Sequence, residues 1–105
     1  MVRDFTYIDD IVHGILLAVN EAERGPSKEI YNIGRGEQVN LMDFINEIEE
    51  CVNRKAIIEF EPMHPADTQS TWSDTTKLKA LGYNPKTSIK EGVKNFVEWY
   101  NSYYK

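Results

Sequence analysis

Glu29-Ile30-Tyr31-Asn32-Ile33-Gly34 is a compact β-prone run closed by Gly34 and Gly36, and Asn40 then offers a helix cap for Leu41 to Arg54. Inside that helical stretch Leu41, Phe44, Ile45, Ile48 and Val52 recur on one face, while Asp43, Glu47, Glu49 and Glu50 fall largely outside it. Ala56-Ile57-Ile58-Glu59-Phe60 reads as a second strand of the same sheet. Strand, helix and strand in this order predict a right-handed βαβ crossover with a parallel pair.

Working outward, Phe5, Tyr7 and Ile8 predict a short strand, and Asp9-Asp10 predicts an N-cap with acidic charge in the first helical turn. Ile11, Val12, Ile15, Leu16 and Val19 carry a helical period to about Glu23, where Gly25-Pro26 stops it. Downstream, Pro62 and Pro65 hold an irregular segment, Asp74 caps a short helix over 75–81, and Gly82 closes it. Ser88 and Glu91 are spaced as a capping box for a last helix with the stripe Ile89, Val93, Phe96, Val97 and Tyr100. The predicted fold class is α/β: one small domain over residues 1–105, with a short parallel β-pair packed by about four helices.

A length of 105 residues allows a single core and excludes a dinucleotide-binding fold joined to a second domain. A formal net charge of -5 argues against nucleic acid as a partner. The longest apolar run, Ile15 to Val19, is far too short to span a bilayer, so no membrane partner is expected. A lone Cys51 and the lack of a secretory leader predict a reducing, cytoplasmic setting. Strand-like alternation begins at once after Met1, which reads as a truncated rather than a natural start.

Chemistry has few places to sit. Gly34-Arg35-Gly36 is followed by Glu37 without the third glycine of a dinucleotide loop, so no cofactor is expected on this chain. None of Tyr7, Tyr31, Tyr83, Tyr100, Tyr103 and Tyr104 has a lysine four residues later, so no catalytic residue is assigned. His13 and His64 lie far apart with no metal-ligand spacing, and His13 reads as a surface residue. Two segments stand out. Arg3 precedes a strand edge and is placed either to clamp a phosphate bidentately or to pair with Asp4 or a sheet neighbour. Met63-His64-Pro65-Ala66-Asp67-Thr68 is a Pro-stiffened loop in which Asp67 is placed either to accept both hydroxyls of a ribose or to stabilise its own turn.

At these residues the chain resembles the nucleotide-sugar epimerases and dehydratases of the extended short-chain dehydrogenase/reductase family. Arg3-Asp4-Phe5-Thr6-Tyr7-Ile8-Asp9-Asp10 is similar to the signature opening the last third of that family. Tyr31-Asn32-Ile33-Gly34, the loop from Pro65 to Asp67, Ser73-Asp74, Leu81-Gly82-Tyr83-x-Pro85 and Glu91-Gly92-Val93 follow in family order. The closing run from Phe96 to Tyr104 is most similar to the UDP-glucuronate 4-epimerase branch.

The resemblance implies a C-terminal domain that binds a UDP-sugar and is inactive alone, with the NAD-binding N-terminal domain missing from this chain. It implies that Arg3 contacts the substrate diphosphate and Asp67 the uridine ribose, with His64 beside them. His64 stands where relatives usually carry Arg or Gln, and Ala66 replaces a typical Gly. Because an imidazole is only partly charged at neutral pH, that implies a weaker or more acid-favoured phosphate contact. The family reaction oxidises the sugar C4 with bound NAD, rotates the keto intermediate and returns the hydride to the other face. Two alternatives are a standalone UDP-sugar-binding or regulatory module and the same portion of a related nucleotide-sugar dehydratase or decarboxylase.

Overall fold

A computed structural model describes residues 1–25, 29–66 and 70–104. Its elements run β1 (Val2–Arg3), α1 (Ile8–Glu23), β2 (Val39–Asn40), α2 (Leu41–Val52), α3 (Thr76–Lys79) and α4 (Ile89–Tyr103). The small α/β class with a short β-pair and four helices is the one expected from the sequence.

The pairing differs. β1 and β2 are antiparallel, with Val2 opposite Asn40 and Arg3 opposite Val39. Val2 also forms an isolated parallel bridge with Ser70, and Thr71 donates its N–H to the Val2 carbonyl at 3.1 Å. The parallel βαβ unit predicted from 29–34 and 56–60 is therefore not formed among the described residues. The first run spends its polar groups elsewhere: Asn32 donates to the Asp74 carbonyl at 3.2 Å, and the Gly34 carbonyl accepts the Tyr83 hydroxyl at 2.7 Å. The second run is exposed, and its Ala56 N–H goes to the Glu49 carboxylate at 2.7 Å.

Local capping chemistry sets two helix starts. Asn40 accepts from Met42 N at 2.9 Å and Ser88 from Glu91 N at 3.1 Å, whereas α3, shorter than the predicted 75–81, starts after Thr75 with no side-chain cap bond, and Asp74 accepts Thr76 N at 3.1 Å from one position before the cap. The exposed Asp74 carboxyl is held below its ordinary pKa by the Thr76 hydroxyl first and the Thr76 amide second. α1 departs from expectation because Tyr7, with no side-chain cap, precedes it, and the predicted strand at Phe5 to Ile8 is absent. Phe5 instead stacks on Phe44 of α2, ring centroids 4.0 Å apart.

α1 also faces the opposite way from its apolar stripe. Asp10 and Gly14 are its buried residues, whereas Ile8, Val12, Ile15, Leu16 and Val19 are 45–60% exposed. Gly14 permits this close approach, since a Cβ there would stand 2.8 Å from Ile33 Cγ2 and 3.1 Å from Leu78 Cδ2. Leu78, Tyr83 and Val93 form the buried apolar core.

Candidate functional site

β1 is flanked on one side by β2 and on the other by the arm at Ser70 and Thr71, so Arg3 sits on the central segment of this group. The Arg3 guanidinium donates to the Val2 carbonyl at 2.9 Å, and no Arg3–Asp4 ion pair forms. Asp4 is instead turned toward two distant loops. It accepts Gly36 N and Ser73 N, both at 2.9 Å, through Oδ2, and Arg35 N at 3.1 Å through Oδ1. Thr6 joins the cluster, its Oγ1 accepting Arg35 N at 3.0 Å.

The other acid of this N-terminal stretch has a parallel job. Asp10, 5% exposed, accepts Lys86 N at 3.0 Å and Thr87 N at 3.1 Å. Arg35 Nε donates to the Thr87 carbonyl at 3.0 Å, and its guanidinium also meets Glu37. These two acids therefore tie the turns at 34–36, 73 and 86–87 to the N-terminal segment. Reading Asp9 and Asp10 as caps missed this. The available signal was the demand side, because the amides of a Gly-x-Gly turn need an acceptor, and Asp4 and Thr6 are short polar residues within an apolar run.

His64 is exposed, and its Nδ1 accepts Ala66 N at 3.0 Å, so the imidazole braces its own loop. Asp67 lies outside the described residues. His13 is exposed beside Tyr83, ring centroids 5.9 Å apart. Among the described residues no three His, Cys, Asp or Glu gather closely enough to hold a metal ion, and no helix is long and apolar enough to cross a membrane. A separate apolar groove of about 830 Å³ runs between α2 and α4, lined by Phe5, Phe44, Ile48, Val93 and Phe96; neither Arg3 nor His64 lines it.

The Gly34-Arg35-Gly36 turn does not fit a dinucleotide pyrophosphate. The amides of Arg35 and Gly36 point at the Asp4 carboxylate, where a pyrophosphate would need them free, and the next helix starts only at Leu41.

Tyr83 is buried against the Gly34 turn, 3% exposed with its hydroxyl donating to the Gly34 carbonyl. Burial chiefly, then the charges of Asp10 and Asp4, pushes its phenol above its ordinary pKa. A raised folded value means the neutral phenol is favoured by folding. Its contribution is complete below about pH 10 and is lost as pH rises through the folded value. Tyr83→Phe is expected to lower stability by about 1–2 kcal/mol at neutral pH, because the Gly34 carbonyl loses its donor. The variant should also lose much of the wild type's decline above about pH 10. Urea titrations at pH 7 and above pH 10 measure both, and an unchanged alkaline limb in the variant would remove Tyr83 from this role.

A family model described as GDP-mannose 4,6 dehydratase matches residues 1–96. An uncharacterized protein of Methanocaldococcus jannaschii is 46% identical over 101 residues, covering 95% of this chain and 30% of that protein. A probable UDP-glucuronate 4-epimerase of Rhizobium meliloti is 36% identical over 122 residues, covering 100% of this chain and 36% of its own length. Among solved structures, the Bacillus cereus UDP-glucuronic acid 4-epimerase with UDP-glucuronic acid and NAD superposes at a TM-score of 0.85 and 32% identity. It covers 98% of this chain and 33% of its own. The Thermotoga maritima UDP-glucose 4-epimerase with UDP-glucose gives a TM-score of 0.85 at 30% identity, over 99% and 33%. The chain thus spans about a third of the length of the relatives it matches.

Proposed function

Because the chain belongs to the GDP-mannose 4,6-dehydratase family of extended short-chain dehydrogenases/reductases, we propose that it is the UDP-sugar-binding portion of an NAD-dependent UDP-glucuronate 4-epimerase. The observation that carries this reading is the superposition of nearly the whole chain on a third of the Bacillus cereus epimerase. In this reading residues 1–105 are the C-terminal domain, and a dinucleotide-binding domain of the same cytoplasmic enzyme is its partner. Arg3, Asp67 and His64 contact the nucleotide end of the substrate, Arg3 at the diphosphate and Asp67 at the ribose. Binding this end orients the sugar toward reacting groups that this chain does not carry. When bound, NAD supplies the hydride chemistry at the sugar C4.

The reading predicts that the isolated chain does not turn over UDP-glucuronate in the presence of NAD. Its affinity for UDP should be millimolar or weaker, since half of the cleft is missing and the bound pose is not preorganised. Chromatography for UDP-galacturonate and a chemical-shift titration with UDP check the two halves. Turnover that copurifies with the chain would overturn the proposal, and a micromolar constant would favour a standalone binding module.

A further inference from the structure

A carboxylate that accepts backbone amides from separate loops fixes those loops to its own segment, because moving any one of them leaves an N–H without a partner. Asp4 is such a group. Its Oδ2 takes Gly36 N and Ser73 N, and its Oδ1 takes Arg35 N and, at 3.4 Å, the Thr6 hydroxyl. Its approach depends on Gly34, where a Cβ would stand 2.6 Å from Ser73 Cβ and 2.9 Å from Asp4 Oδ2.

Two further links give this cluster a direction. Asp4 directly follows Arg3, whose backbone is registered against Val39 of β2. Ser73 continues the arm whose Ser70 and Thr71 join Val2. A slip or twist of β1 that moved the Arg3 guanidinium would have to break bonds on both sides of Asp4. Asp4 does not neutralise Arg3, so that guanidinium keeps its charge available for a phosphate.

We infer that Asp4 is the positioning residue that aims Arg3 for diphosphate binding. This rests on the assignment of Arg3 to the diphosphate, and the test separates the two. Steady-state kinetics of the intact epimerase with UDP-glucuronate are compared for Asp4→Asn, Arg3→Ala and the double variant, with a thermal melt of each. Asp4→Asn is expected to raise KM about tenfold with kcat within about twofold, and the double variant should be no worse than Arg3→Ala, because Asp4 acts through Arg3. Asp10→Asn serves as the structural comparison: its two amide bonds lie at 86–87, so it should lower the melting temperature and leave KM unchanged.

A wild-type KM in Arg3→Ala removes the diphosphate assignment and this inference with it. A raised KM in Arg3→Ala alongside an unchanged KM in Asp4→Asn overturns this inference alone, as do additive effects in the double variant. Should Asp4→Asn fail to fold, Thr6→Val replaces it, since Thr6 Oγ1 bonds both Asp4 and Arg35 N. An increase in KM of about threefold that vanishes in the Arg3→Ala background supports the inference, and an unchanged KM overturns it.

Discussion

On the proposed function, Arg3→Ala in the full-length enzyme is expected to raise the KM for UDP-glucuronate about thirtyfold or more while leaving kcat within about twofold. A charge-assisted hydrogen bond to phosphate contributes about 2 kcal/mol or more, and each 1.36 kcal/mol is about tenfold. The diphosphate is remote from the sugar C4 in this reading, so the contact is the same in ground and transition states. Loss of such uniform binding appears in KM and spares the chemical step. Asp67→Asn should cost less, because an amide oxygen still accepts one hydroxyl. A thermal melt accompanies both variants, since Arg3 also bonds the Val2 carbonyl in the sheet. Wild-type KM values at unchanged stability in both would refute the site assignment.

What was legible in the sequence was what neighbouring residues decide. α2 and α4 follow from the apolar period and from Asn40 and Ser88, whose cap bonds both form. Strand pairing depends on partners far along the chain. Val39 and Asn40, a two-residue strand that also caps α2, carry no alternation to betray it, whereas the β-prone 29–34 and 56–60 form no ladder among the described residues. The amide cluster at Asp4 was not legible for a related reason. Asp4 reads locally as a surface acid, and only the fold brings the Gly36 and Ser73 amides to it.

The α1 stripe makes the same point about energetics, and it separates two variants that the sequence alone would rank together. Leu78 is fully buried, packs against Gly14, and its carbonyl accepts the N–H groups of both Leu81 and Tyr83 at the end of α3. Truncating it opens a cavity where the chain has few other buried apolar side chains. Leu78→Ala should therefore cost about 2–5 kcal/mol, a large share of the roughly 5–15 kcal/mol that holds a domain of this size together. Ile15, 48% exposed on the outer stripe of α1, already keeps much of its surface in water. Ile15→Ala should change the stability of this chain by no more than about 0.5 kcal/mol. Urea midpoints of the two variants, with the m-values compared to confirm two-state unfolding, measure the difference directly. If Ile15→Ala cost as much as Leu78→Ala, the outer stripe of α1 would be buried in solution and the observed orientation of that helix would be wrong.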